Sequence, residues 1–203
     1  MTIATRLVAS EIETSVGFTD NFNGRFTLGW TDAEIKDALA DAFDDFPDLA
    51  SEGFDGTGGD VSGNTLLRQP EWLLSGSLGY RHDLTGEWEW YTSGDANYQS
   101  GIYIGNDNQS WIPSHTYVNT KVGVENAVYS LEFWTRNLFD QGQAVAAYRD
   151  IYFANTDNQY RPEIPQGPRP NFDKFVPWRY TVSYPNERTF GVTLRMRFGA
   201  AVQ

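Results

Sequence analysis

Hydrophobic and polar residues alternate strictly near the end of the chain, over residues 189–198. The apolar positions are Phe190, Val192, Leu194, Met196 and Phe198. Because successive side chains of a β-strand point to opposite faces, one face of this segment is wholly apolar and the other carries two arginines. About ten residues of this pattern match a barrel strand that crosses a membrane.

Six earlier segments repeat the two-residue period. They cover residues 8–18, 22–30, 72–81, 87–99, 118–125 and 129–136. Three large apolar side chains fall out of phase, at Leu73, Tyr91 and Trp134. Together the seven segments predict an all-β protein built on an antiparallel sheet.

The predicted strands are joined alternately by short and long connections. The short ones lie at residues 20–21, 82–87 and 125–128, and the long ones at 31–69, 100–116 and 138–188. All short turns therefore lie at one end of the sheet, which is typical of outer-membrane barrels. Aromatic residues near the strand ends match interfacial positions: Trp30, Trp72, Tyr80, Trp88 and Tyr98.

Composition narrows the class of protein. The 203 residues include no cysteine, so a disulfide framework and a thiolate metal site are excluded. The net charge of −12 argues against nucleic acid as a partner. No segment approaches the roughly 18 apolar residues of a membrane helix. A soluble β-sandwich that binds a ligand also alternates and is one alternative.

Catalysis has little support in the pattern. His82 and His115 belong to opposite ends of the predicted sheet, so they cannot share a site. The carboxylate pairs at residues 11 and 13 and at residues 87 and 89 each lie on one face, whereas glycosidase carboxylates face each other across a sugar. We expect polar barrel lining, no enzyme, no catalytic residues, no metal set and no cofactor.

The first long loop is strongly acidic between residues 32 and 60. Four apolar residues in it recur at helical spacing and predict a short amphipathic helix: Ile35, Leu39, Phe43 and Phe46. Glycine and aspartate alternate loosely over residues 55–60, which suggests calcium without matching an EF-hand loop.

Two segments resemble the end of TonB-dependent outer-membrane receptors. Residues 114–124 and 129–140 resemble a strand, a tight turn and a strand that runs into Asn137-Leu138-Phe139-Asp140, and residues 185–198 resemble the family's closing strand. The resemblance implies that residues 1–203 are the C-terminal portion of a barrel of about 22 strands. It implies that the plug domain, TonB box and signal peptide are absent. Because seven strands alone would leave two unpaired sheet edges in lipid, we expect Met1 to be internal or a misassigned start.

The resemblance also implies a function. It is the active uptake of a scarce nutrient, most often a ferric siderophore, across the outer membrane of a Gram-negative cell. The implied partners are outer-membrane lipid, the barrel-assembly machinery, the TonB complex acting through the missing plug, and a small-molecule ligand such as a ferric chelate. A passive porin-like or small structural barrel is the alternative among membrane proteins.

Two sets of residues are candidates for function. Aromatic and arginine side chains of the long loops suit an anionic, ring-bearing chelate. They are Tyr103, Trp111, Tyr148, Tyr152, Tyr160, Arg161, Arg169 and Trp178. The closing strand carries the assembly signal that the resemblance implies, at Gly191, Leu194, Met196 and Phe198.

Overall fold

A computed structural model describes residues 4–38, 60–106, 108–151 and 178–198. These ranges form eleven strands and no helix. The strands are β1 (Ala4–Thr19), β2 (Phe22–Asp37), β3 (Trp72–Asp83), β4 (Glu89–Gln99), β5 (Ile102–Tyr103), β6 (Trp111–Ile112), β7 (His115–Glu125), β8 (Tyr129–Arg136), β9 (Ala146–Ile151), β10 (Trp178–Ser183) and β11 (Thr189–Met196).

Seven of the strands form one antiparallel sheet in the order β1-β2-β3-β4-β7-β8-β11. Each strand pairs with the next one of the series, so the sheet is a simple meander, and the predicted seven-stranded antiparallel architecture is confirmed. The remaining strands form two small hairpins within the long connections, β5–β6 and β9–β10. In the described ranges no helix has the length and hydropathy needed to cross a membrane.

Side-chain hydrogen bonds close two of the tight turns. The Thr19 hydroxyl accepts from the backbone N–H groups of Asn21 and Phe22, at 3.3 and 3.1 Å. The Asn126 side-chain oxygen accepts from the backbone N–H groups of Val128 and Tyr129, at 2.9 and 2.7 Å. Both residue types favour turns because their side chains satisfy backbone donors locally.

The sheet has two chemically distinct faces, which we name the apolar face and the polar face. Cross-strand rows on the apolar face include Ile12, Leu28, Leu74 and Tyr98, and also Val122, Phe133 and Val192. On the polar face the rows include Arg25, Ser77, Asp95 and Asn119. Aromatic pairs bound the apolar face, with Trp30 against Trp72 near the long loops and Tyr80 against Trp90 near the short turns.

The apolar face is bare. Its large side chains are exposed, with Ile12 at 62%, Leu74 at 41% and Val192 at 67% of their full accessible area. A soluble protein would bury such a face against a second layer. Since no second layer covers it within the described residues, the structure does not support the soluble sandwich.

The buried apolar clusters lie instead at the long-loop end of the sheet. One contains Ile102, Ile104, Ile112 and Ala147, and the other contains Ile35, Ala38 and Val61. The sheet therefore serves as a wall, and the packed interior of the described chain belongs to its connections.

The helix predicted from Ile35 is wrong at its start. Strand β2 continues to Asp37 because residues 4–8 of β1 pair with residues 32–37. Ile35 is 1% exposed and packs against Ala38 and Val61 within this extension. The other three residues of the helical repeat, Leu39, Phe43 and Phe46, lie outside the described residues.

Candidate functional site

The long connections form a layer above the sheet, which we call the loop layer. Its described parts are residues 32–38, 60–71, 100–114, 137–151 and 178–188. Backbone hydrogen bonds join these parts: Ile35 N–H donates to Asn64 O at 2.8 Å, and Arg68 N–H donates to Tyr103 O at 2.8 Å. The connections therefore pack on one another.

Arg68 brings two of the candidate ligand residues together. Its guanidinium carbon lies 4.1 Å from the centre of the Tyr148 ring, which is a cation–π contact. Its backbone N–H bonds to Tyr103, whose strand β5 pairs with Trp111 across the hairpin. Arg68 adopts a left-handed backbone conformation with φ of 58°. Nothing in its sequence context indicated that it would reach the other two loops.

Asparagine side chains fasten the first and second long connections to each other. Asn108 Oδ1 accepts from Thr65 N–H at 2.8 Å, and Asn108 Nδ2 donates to Thr65 O at 2.9 Å. Asn64 Nδ2 donates to Asn106 O at 2.7 Å. The Asn108 side-chain amide pairs with the backbone of Thr65 as a neighbouring strand would. Contacts of this kind leave no periodic pattern in the sequence, so the sequence could not predict them.

Trp111 borders an apolar groove in the loop layer. The indole is 64% exposed. The groove is about 440 Å³ and is lined by Ile104, Pro113, Ala144, Tyr180 and Val182 among others. The Tyr180 hydroxyl lies 2.8 Å from the Ser110 hydroxyl, which joins the β9–β10 hairpin to the second connection.

Of the eight candidate ligand residues, the structure thus brings together Tyr103, Trp111 and Tyr148. Trp178 begins strand β10, where its backbone pairs with Ile151. The remaining four candidates are outside the described residues: Tyr152, Tyr160, Arg161 and Arg169.

The tetrapeptide 137–140 forms a cluster of polar contacts, which we call the polar knot, at the base of the last connection. Asn137 is 5% exposed, and its Nδ2 donates to Gln141 O and Asn186 O, each at 3.0 Å. Asp140 Oδ1 accepts from Arg188 N–H at 2.8 Å. Both ends of the connection are therefore held side by side above the sheet.

The polar knot continues onto the polar face. Asn119 Oδ1 accepts from Asn137 N–H at 3.1 Å, and Asn119 Nδ2 donates to Asp95 Oδ2 at 2.8 Å. Asn97 Nδ2 also donates to Asp95, at 3.2 Å. A continuous hydrogen-bonded chain thus links the sheet to the last connection.

Charged residues on the polar face form a second network near the short turns. Arg81 pairs with Glu89 and, at 3.1 Å, with Glu125. Tyr91 donates its hydroxyl hydrogen to Glu132 at 2.8 Å, and Lys121 lies 3.7 Å from the same carboxylate. These groups lie across four neighbouring strands, β3, β4, β7 and β8, and suit a wet polar surface rather than a catalytic centre.

A concavity lies on the polar face nearer the loop layer. Its volume is about 730 Å³. Neither His115 nor Tyr117 was a candidate ligand residue, yet both line it with buried polar atoms that lack partners in the described chain. Leu73, which broke the alternation, forms part of its floor. The residues of this site are distant in sequence and come together only when the strands pair, so the sequence alone could not indicate it.

Two carboxylates of the loop layer are held ionised by neighbours. Glu34 lies four residues beyond Trp30, and its hydrogen bond to Lys36 lowers its pKa, with the charges of Lys36 and Arg6 acting in the same direction. Hydrogen bonds from the side chain and backbone of Ser62 lower the pKa of Asp60. Among the described residues no set of three His, Cys, Asp or Glu side chains is placed to hold a metal ion.

The residues of the implied assembly signal lie on or beside the edge strand β11. Leu194 and Met196 belong to the apolar face, and Phe198 is 86% exposed just beyond the strand. Gly191 lies on the polar face beneath Trp134. Their role in assembly stays a prediction.

Three solved structures show the same fold over nearly the whole chain. The ferric yersiniabactin uptake receptor FyuA from Yersinia pestis matches 97% of it with a TM-score of 0.64 and 14% identity. The siderophore receptor PiuA from Acinetobacter baumannii matches 95% (TM-score 0.59, 13% identity), and the ferric-catecholate import receptor Fiu from K12 E. coli matches 97% (TM-score 0.57, 16% identity). No protein-family model and no curated protein matches the chain.

The class of fold is therefore that of the β-barrel wall of TonB-dependent siderophore receptors, which confirms the resemblance at the level of the fold. The chain spans 21 to 24% of the length of these three receptors. All three are named as receptors.

Proposed function

We propose that the chain forms part of the wall and outer loops of a TonB-dependent receptor that imports a ferric siderophore across the bacterial outer membrane. The observation that carries this proposal is how apolar and charged side chains are distributed over the sheet. Its apolar face is bare, and its polar face carries the ion pairs. A barrel in lipid requires this arrangement, because the lipid covers the apolar side and water fills the interior.

The edges of the sheet support a larger barrel. Strand β1 pairs only with β2, and β11 only with β8, within the described sheet. Unpaired backbone groups at such edges are costly in hydrocarbon, so further strands are needed to close the wall. We propose that residues 1–203 are the C-terminal portion of the barrel and that a plug and its TonB contact belong to the rest of the receptor.

The loop layer supports cargo capture. It holds Tyr103, Trp111 and Tyr148 at the end of the sheet that we assign to the cell exterior, since barrel loops are longer on that side. Aromatic rings with arginine nearby suit ring-bearing chelates. One structural match is named for a siderophore and the other two for ferric cargo, which makes a ferric siderophore the favoured cargo.

Iron uptake in cells tests the proposal. Radioactive iron bound by the siderophores of an iron-starved culture is supplied to cells with the gene, without the gene, and with TonB depleted. We expect accumulation only when both the gene and TonB are present. Uptake that needs the gene but continues without TonB would favour a passive pore, and uptake that is indifferent to the gene would refute transport of these chelates.

A further inference from the structure

Two buried polar atoms on strand β7 have no hydrogen-bond partner in the described chain. They are Nδ1 of His115, whose residue is 8% exposed, and the hydroxyl oxygen of Tyr117. The two rings are two residues apart on the polar face and meet edge to face, with centroids 5.4 Å apart. A buried polar atom without a partner costs free energy, so a partner outside these residues is expected.

Both side chains open onto the concavity of the polar face. Its surface follows two neighbouring cross-strand rows, one of Glu11, Gly29, Leu73, Gln99 and His115, and the other of Thr27, Ser75, Asn97 and Tyr117. The small residues Gly29 and Ser75 leave space above these rows, and Leu73 forms part of the floor. The volume of about 730 Å³ lies within the range of small-molecule sites.

The charge of the residues that line the concavity indicates which class of ligand it can bind. Glu11 is the only carboxylate among the lining residues, and no lysine or arginine is among them. Within the described residues Glu11 has no ion pair, so its charge faces the concavity uncompensated. A like charge brought close to it is disfavoured. The amides of Asn97 and Gln99 and the Tyr117 hydroxyl offer neutral donors and acceptors.

We propose that this concavity is a ligand subsite for an uncharged ferric chelate whose surface carries amide or hydroxyl groups. His115 Nδ1 and the Tyr117 hydroxyl are its polar contacts, and Glu11 disfavours anionic chelates. The inference rests on the proposed function and adds the charge class of the cargo. It opposes the anionic chelate expected from the arginines of the last loop, so binding experiments can decide between them.

Two probes of different charge test the subsite. The protein as the cell produces it is purified in detergent, and tryptophan fluorescence quenching measures binding of ferrichrome, an uncharged ferric trihydroxamate, and of a trianionic ferric tricatecholate. We expect ferrichrome to bind at least about tenfold more tightly. The double variant H115F/Y117F should weaken ferrichrome binding by about tenfold or more, and E11Q should strengthen binding of the tricatecholate.

A matched double variant controls for general damage. H82F/Y129F changes the same residue types on the apolar face near the short turns, so it should leave both affinities unchanged. Tighter binding of the tricatecholate, an H115F/Y117F variant that binds ferrichrome normally, or binding of neither probe would overturn the subsite. TonB-dependent uptake of the cell's own chelates would still support the receptor in those cases, so the two failures are distinguishable.

Discussion

The indole ring of Trp134 lies directly over Gly191, its cross-strand partner on β11. Its Nε1 donates a hydrogen bond to the Thr193 hydroxyl at 3.1 Å. The ring fills the space that a side chain at residue 191 would occupy, and it joins the closing strand to β8. Tyr91 covers Gly123 on the same face in a similar way, with ring atoms 2.6 Å from where a Cβ would lie.

Replacing Gly191 with alanine should destabilise the closing strand. The new Cβ would overlap the Trp134 ring, which must then move and lose its bond to Thr193. Overpacking of this kind costs about 1–3 kcal/mol. Urea unfolding of the receptor in lipid vesicles measures the change. Gly17→Ala is the matched control, because a Cβ on this other edge-strand glycine meets nothing within 4 Å. Equal stability of the two variants would contradict the packing role of Gly191.

Asn137 should prove the most sensitive residue of the polar knot. It combines a left-handed backbone, with φ of 51°, with side-chain bonds to two segments of the last connection. Asn137→Gly keeps the backbone conformation and loses the bonds, for an expected cost of about 1–3 kcal/mol. Asn137→Ala adds the left-handed penalty of about 1–2 kcal/mol. Urea unfolding of both variants separates the free-energy cost of the lost bonds from that of the left-handed backbone. An alanine variant as stable as the glycine variant would show that the backbone conformation contributes nothing.

Acid should loosen the first part of the loop layer. Hydrogen bonding lowers the pKa of Glu34 and of Asp60, so each stabilises the fold fully above its ordinary value, 4.5 and 3.8 respectively. That contribution is lost as the pH falls through the lowered pKa. Amide hydrogen exchange near Val61 and Gly63 should therefore show protection factors that drop below about pH 4. Ser62→Ala should weaken this dependence, while Gly123 in β7 serves as the internal reference. A pH-independent protection factor at Val61 would contradict the assignment.

Arg68 should hold the β9–β10 hairpin against the first connection. Arg68→Met removes the cation that stacks on Tyr148 and keeps a side chain of similar length. Because the site is exposed, the expected loss is about 0.5–1 kcal/mol, detectable as faster amide exchange at Ala147 and Thr181. Arg25→Met is the control, since Arg25 is also exposed and its nearest carboxylate, Glu13, is 3.7 Å away. Equal amide exchange rates in the two variants would show that Arg68 does not hold the hairpin.

The strands of the wall were predictable because each repeats a two-residue period over many positions. Leu131 and Phe133 alternate with polar residues, and their partners Leu194 and Val192 do the same, so the sequence alone indicates the sheet and its faces. Trp134 and Tyr91 broke the period for a reason that lies on the neighbouring strands. Each faces a glycine there, and that pairing is visible only once the register is known.

The loop layer was less predictable. Strands β5 and β6 have two residues each, too short to show any period. Ile35 fitted a helical repeat, but the beginning of β1 offered pairing partners that extended β2 through it. The subsite at His115 and Tyr117 depends on rows that cross five strands, so no local motif could indicate it.

The orientation of the two faces in the membrane is tested most directly by two adjacent residues. These 203 residues contain no cysteine, so Leu74→Cys and Ser75→Cys each give them a single thiol for a spin label, on the apolar and polar faces of β3 respectively. In outer-membrane vesicles the label at residue 74 should be relaxed by lipid-soluble oxygen, and the label at residue 75 by a water-soluble nickel chelate. Relaxation of both labels by the nickel chelate, or the reverse pattern, would contradict a barrel wall with its apolar face in lipid.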